Sequence, residues 1–188
     1  MLAAIGVATT DATIANTQLG QIQVIKAEMD GERSTWTKLN DVARKLTEET
    51  SDGALNSAMD GLNSRWVDLE KDLDEKERNI QRASNLGAEI KALQKDVMNK
   101  LGVLEADVEK FGNMLPSEVE ARLNELSVFK SQLNGLNDQI DHMSDLISAS
   151  EELEIDPVNR GDLEDQMKGM RKKIQEAGAQ IIFQCFVK

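Results

Sequence analysis

This sequence contains one histidine, His142, and one cysteine, Cys185, and they limit the chemistry that the chain can perform. A zinc site needs several His, Cys or carboxylate ligands, and a Cys–His catalytic pair needs its two side chains in contact. His142 stands beside the seam residues Ile140 and Met143, which is typical of a partly exposed helix residue. We therefore predict that the chain is not an enzyme and has neither a metal site nor a cofactor.

Carboxylates collect in two stretches, "DQIDHMSD" at 138–145 and "DPVNRGDLED" at 156–165. The second contains a glycine among acidic residues, as calcium loops do, but its acidic spacing around Gly161 does not fit such a loop. Asp156 followed by Pro157 is instead typical of a helix start. We interpret both stretches as helix caps and solvated helix faces, and we predict no catalytic, cofactor-binding or metal-binding residue.

The composition favours long helices and disfavours several kinds of partner. About 30% of the 188 residues are charged and 40% are apolar, while 3% are aromatic and two are prolines. The net charge of −12 repels phosphate backbones and anionic lipid, so we expect no nucleic acid and no direct membrane insertion. A lone cysteine suits a reducing compartment, and this predicts a cytoplasmic location.

Apolar residues recur at alternating intervals of four and three along most of the chain. The longest series runs from Leu55 to Phe111 without a phase break or a proline. This spacing is typical of a coiled-coil seam, and a single helix of this length would measure roughly 85 Å. We predict one helix over 55–111 in an elongated all-α protein. The weakest seam positions are Lys76, Gly87 and Gln94, and the helix could bend at Gly87 and Gln94.

Shorter seams at 22–46 and 126–150 flank this helix and resemble each other at an offset of 104 residues, which places Trp36 over Ile140. A last seam at 163–181 matches 55–73 at an offset of 108, which places Trp66 over Ile174. A period near 105 with one insertion indicates an internal repeat of a helical unit. The breaks between the seams predict a stub at 1–6 and then four helices, at about 11–50, 55–111, 116–151 and 158–186.

A family resemblance lies in the stretch "LNSRWVDLEKDL" at 62–73. A tryptophan that follows "LNSR" and precedes leucines at plus three and plus seven resembles the third helix of a spectrin repeat. The stretch "QLGQIQVIKAEMDGERSTWTKLNDVARKL" at 18–46 resembles the second helix of repeats in spectraplakin, nesprin and dystrophin rods. The resemblance covers nearly the whole chain. It implies tandem three-helix left-handed coiled-coil bundles that share a continuous linker helix.

Two departures from the family pattern accompany this resemblance. The first repeat, 1–83, lacks most of its first helix, and the second repeat, 84–188, has Ile174 where the family usually has tryptophan. The predicted core and structural residues are Trp36, Trp66, Leu62, Leu69, Leu73, Ile140 and Ile174.

The resemblance implies a structural spacer and scaffold, a rod segment of a large cytoskeletal crosslinking protein of the actin-binding family. Its expected partners are other repeats of the same rod and cytoskeletal or adaptor proteins. An alternative is an adaptor or self-association module, in which the incomplete repeat binds a helix of a partner or forms a homodimer. A simple coiled-coil dimer fits less well, because it would not need the turns that separate the helices.

Overall fold

The protein is all-α, as the sequence predicts. The computed structural model describes the secondary structure of residues 2–50, 53–111, 119–153 and 155–186, and these ranges contain no β-strand. A 3₁₀ helix at Leu2–Ile5 precedes α1 (Ala12–Thr50) and α2 (Gly53–Phe111). Next come α3 (Val119–Ala149), a 3₁₀ turn at Ser150–Leu153 and α4 (Pro157–Phe186).

Helix α2 is 59 residues long and contains the whole predicted helix at 55–111. Two properties of its sequence favour this length. It has no proline, so every turn can keep its backbone hydrogen bonds, and its seam of apolar residues keeps one phase throughout. The prediction of one uninterrupted helix is confirmed.

Aspartate side chains begin two of the helices in the way that the sequence predicts. The Oδ1 atom of Asp11 accepts hydrogen bonds from the backbone N–H groups of Thr13, at 2.8 Å, and Ile14, at 3.1 Å. Asp156 Oδ1 accepts the N–H of Val158 at 2.9 Å. These bonds satisfy N–H groups that have no partner inside the helix. The helix start predicted at Pro116 lies outside the described residues.

The chain divides into two compact units, Met1–Ser84 and Asn85–Lys188. Helix α2 contributes its residues 53–84 to unit 1 and its residues 85–111 to unit 2.

Unit 2 is a helical bundle in which parts of three helices share one apolar core. Helix α3 supplies large buried side chains that include Phe129, at 1% exposure, and Ile140. Helix α4 supplies Met170 and Ile174, and the second part of α2 closes the core. The α2 members are Ile90, Val97, Leu101, Leu104 and Val108.

Unit 1 is built from α1, the first part of α2 and the short N-terminal segment. Its buried apolar side chains include Ile22, Met29, Leu73, Ile80 and Ala83. The segment before α1 is fixed by Gln18, whose Nε2 donates hydrogen bonds of 2.8 Å to the carbonyl oxygens of Ile5 and Val7. Between those two residues Gly6 has a φ of +78°, a conformation that glycine adopts without steric cost.

Candidate functional site

One edge of the contact between α1 and α2 is held by paired polar side chains. Lys26 Nζ lies 2.6 Å from Asp74 Oδ1 and also donates to Glu77. About two helical turns further along α1, Arg33 lies 2.7 Å from Glu70 Oε1. About two turns beyond Arg33, Asn40 Oδ1 accepts a 2.7 Å bond from Asn63 Nδ2. We call these seven residues the polar edge. These contacts join α1 to α2 at one axial register.

The ion pair between Lys26 and Asp74 shifts the pKa of both groups. The hydrogen bond from Lys26 lowers the pKa of the Asp74 carboxyl below its ordinary value of 3.8. In return, the hydrogen bonds to Asp74 and Glu77 raise the pKa of the Lys26 ammonium above 10.5. Lys26 and Asp74 therefore both stay charged over the whole neutral range. Because Asp74 is exposed, solvent screens the pair, and its net effect on stability is small.

The polar edge predicts an acid-sensitive contribution to the stability of unit 1. A carboxyl whose pKa is lower in the folded state stabilises the fold above its unfolded pKa and loses this effect as the pH falls through the folded value. Asp74→Asn should therefore lower the unfolding midpoint at pH 7 only slightly, and the difference from the parent should vanish well below pH 3.8. Thermal unfolding at both pH values measures this. Asp72→Asn, on the exposed side of α2, is the control, and a difference that persists in acid would contradict the assignment.

The two tryptophans of the sequence stack on each other beside the polar edge. The ring centroids of Trp36 and Trp66 lie 4.8 Å apart with an interplanar angle of 18°. Trp66 Nε1 donates a 3.0 Å hydrogen bond to Glu70 Oε1, the same oxygen that pairs with Arg33. Both rings are half-buried. The two stacked rings therefore lie between the polar edge and the opposite side of the α1–α2 pair.

That other side carries exposed apolar side chains. Leu39 and Leu62 precede Asn40 and Asn63 directly, so they point about 100° away from the polar edge around their helix axes. The four side chains that define this open face are exposed by 41–62%: Leu39, Val42 and Leu46 of α1 and Leu62 of α2. Large exposed apolar patches mark interaction sites in soluble proteins. The open face is the candidate functional site.

The residues that the sequence assigned to the core have three different environments. Leu73, Ile140 and Ile174 are buried, and Trp36, Trp66 and Leu69 are half-buried. Leu62, in contrast, is 41% exposed, so it is not a core residue of unit 1. Leu62 lies one turn before Trp66 on α2 and about 100° around the helix axis from Asn63 of the polar edge.

The two positions predicted to allow a bend both lie inside α2. Gly87 is buried, and Gln94 Nε2 donates a 2.8 Å hydrogen bond to Gln166 Oε1 on α4. A bend at either position remains a prediction.

The side chains with possible chemistry have structural surroundings. His142 Nε2 lies 3.9 Å from Glu89 Oε1, and its side chain is 55% exposed. In the acidic stretch around Asp156, Arg160 pairs with Glu151 and Glu164 and so neutralises part of its charge. Among the described residues, no three or more His, Cys, Asp or Glu side chains are grouped as a metal ion would require.

Comparisons with known proteins give no relative: no family model, no curated protein and no solved structure matches this chain. Within the described part of the chain, none of the helices combines the length and the apolar character that crossing a bilayer requires.

Proposed function

We propose that the chain is a non-enzymatic structural spacer and scaffold made of two spectrin-like repeats that share α2. The observation that carries this proposal is the 59-residue helix, because one uninterrupted helix contributes core residues to both units. A continuous helix has no flexible linker between its turns. It therefore couples the orientations of the two repeats and transmits mechanical force from one repeat to the next. The apolar cores can unfold under load and refold, which gives elastic separation of the modules at the ends of a longer rod.

The internal repeat supports this interpretation. Trp36 and Trp66 face each other in unit 1, and their counterparts at offsets of 104 and 108, Ile140 and Ile174, are both members of the unit 2 core. The same helix pair thus recurs with different core side chains. In the proposed role the partners are neighbouring repeats and cytoskeletal or adaptor proteins in the cytoplasm, and no residue performs catalysis.

The spacer function predicts that α2 stays helical across the boundary between the units in solution. Spin labels can be attached at the exposed positions 71 and 95 through Lys71→Cys and Lys95→Cys in a Cys185→Ser background. The two positions are 24 residues apart, so a straight helix places their backbones about 36 Å apart. Pulsed electron resonance should give one narrow distance distribution near this value. A pair at Lys91→Cys and Glu105→Cys, both within unit 2, is the control. A broad distribution for the first pair beside a narrow one for the control would contradict the proposal.

A second candidate function is an adaptor or self-association module, and the open face is the observation that favours it. Leu39, Val42 and Leu46 of α1 and Leu62 of α2 are exposed apolar side chains, and an amphipathic helix binds by laying its apolar face against such side chains. This function is compatible with the spacer role, because the open face and the uninterrupted α2 are separate features.

A further inference from the structure

We propose that the step from Asn134 to Gly135 is a latent modification site, which deamidates and isomerises when unit 2 unfolds and is protected while α3 is folded. It is the only Asn–Gly step in the sequence. The inference goes beyond the spacer function and does not depend on it, because the reaction needs only that unit 2 open, whatever opens it. Its consequence is a permanent chemical change in a chain that has been unfolded.

The reaction is an intramolecular ring closure that needs no enzyme and only water as a co-reactant. The backbone nitrogen of Gly135 attacks Cγ of Asn134, so that a C–N bond forms and the Cγ–Nδ2 bond breaks. The side-chain nitrogen leaves as ammonia and takes up the proton that the Gly135 nitrogen loses. Water then opens the cyclic imide at either carbonyl carbon, which gives aspartate or β-linked isoaspartate at position 134. Glycine favours the ring closure because no Cβ crowds its nitrogen.

The folded helix keeps the two reacting atoms apart. Asn134 and Gly135 lie in the middle of α3, which spans Val119–Ala149. In an α-helix the N–H of Gly135 donates to the carbonyl of Ser131, and the Cα–Cβ bond of Asn134 tilts toward the helix N-terminus, away from the nitrogen that follows. Both residues of the step are exposed to solvent. Their protection therefore comes from the backbone conformation and not from burial.

Opening of this step requires opening of the unit 2 core. Leu136, which follows Gly135, is 2% exposed and belongs to the core. Leu133, which precedes Asn134, packs against the same core. Its Cδ1 lies 3.6 Å from the position that a Cβ on Gly178 of α4 would occupy. The reacting residues are thus held on both sides by side chains that pack in the bundle, and they cannot leave the helical conformation while those side chains stay in place.

Helix propensity alone does not hold this stretch. Five of the eight residues at 131–138 are serine, asparagine, glycine or aspartate, which are weak helix formers. Gly135 weakens the helix further, and space does not require it, since a Cβ there would meet nothing within 4 Å. Packing of the flanking leucines therefore keeps the stretch helical. When the core opens, the chain leaves the helical conformation and the reacting atoms can meet.

The β-linked product changes the backbone of α3. It places one additional carbon atom in the main chain, between the core residues Phe129 and Leu133 on one side and Leu136 and Ile140 on the other. The spacing that puts these four side chains on one helix face is then lost. A unit 2 that has reacted in this way cannot rebuild the same core. The ordinary aspartate product keeps the backbone and adds only a charge on the exposed face.

The test follows the charge of the full chain, either folded in buffer or unfolded in urea at the same pH and temperature. Conversion of Asn134 adds one negative charge to a chain of net charge −12, so ion-exchange chromatography separates the product, and peptide mapping by mass spectrometry locates it. We expect conversion in the folded chain to be at least about a hundredfold slower than in urea, because the rate follows the population in which the core is open. A smaller ratio, or faster conversion at another asparagine in urea, would overturn the proposal.

Gly135→Ala is the matched variant for the ring closure. Its Cβ meets nothing within 4 Å, so the variant should fold as the parent does, with a slight gain in helix stability. In urea its fast conversion should be lost, because the new Cβ crowds the attacking nitrogen. The Asp–Gly steps of the sequence close the same ring without a change of charge, so they do not enter this measurement. Fast conversion that persists in Gly135→Ala would overturn the assignment to this step.

A second measurement tests the effect on refolding. After reaction in urea, the chains are refolded by dilution, and the β-linked form is separated and compared with Asn134→Asp, which has the same charge on an ordinary backbone. The β-linked form should unfold at a lower urea concentration by circular dichroism, while Asn134→Asp should stay close to the parent. Equal midpoints would overturn the predicted damage to the core. Either failure would leave the spacer function intact, because the spin-label distances across α2 do not depend on this reaction.

Discussion

Phe129→Ala is expected to lower the free energy of unfolding of unit 2 by about 3–5 kcal/mol. The ring of Phe129 is 1% exposed and belongs to the core formed by α3, α4 and the second part of α2. Its removal loses the transfer free energy of a large apolar side chain and leaves a cavity that rigid helices cannot close completely. Urea unfolding followed by circular dichroism, with calorimetry as a second probe, measures the change.

The neighbouring Val128 provides a matched control for this prediction. It is 49% exposed, and Val128→Ala should change the free energy of unfolding by no more than about 0.5 kcal/mol. Alanine is also the better helix former, so a slight gain in stability is consistent with this expectation. Similar small effects of the two substitutions would show that Phe129 is not part of a tightly packed core.

Ser84→Pro is expected to lower the free energy of unfolding by about 3 kcal/mol or more. The reason is that proline in a helix interior removes a backbone hydrogen bond and clashes with the preceding turn. Ser84 is the last residue of unit 1 and lies well inside α2. The substitution should broaden the distance distribution between labels at positions 71 and 95, since the helix between them is interrupted. The distribution for the pair at 91 and 105 should not change.

Ser84→Ala separates the effect of the proline ring from the loss of the serine hydroxyl. Alanine favours the helix, so this variant should keep the narrow label distribution and the parent's stability within about 0.5 kcal/mol. If Ser84→Pro left both observables unchanged, the continuity of α2 would not couple the two units, and the spacer function would lose its main support.

The order and the approximate extents of the helices could be predicted from the sequence because local signals determine them. Asp11 and the pair Asp156–Pro157 mark helix starts through bonds to residues two or three positions away. The length of α2 followed from an apolar seam that keeps one phase and contains no proline. These signals act within a few turns of one helix and need no knowledge of its neighbours.

The candidate site could be predicted only in part, because it depends on which side chains another helix covers. Leu39 and Met143 occupy equivalent seam positions and have the same periodicity, yet one is 45% and the other 1% exposed. The polar edge was not predicted for a related reason. The bond between Lys26 and Asp74 joins residues 48 positions apart, and a heptad pattern alone allows helices to shift along each other by whole repeats.

The stack of Trp36 on Trp66 gives the molecule a built-in optical reporter for one of its halves. These are the only tryptophans, the sequence has no tyrosine, and both rings lie in unit 1. Intrinsic fluorescence therefore arises from unit 1, while far-ultraviolet ellipticity records the helices of both units. During denaturation, divergence of the two signals would reveal whether the halves melt in sequence, without any dye or engineered label.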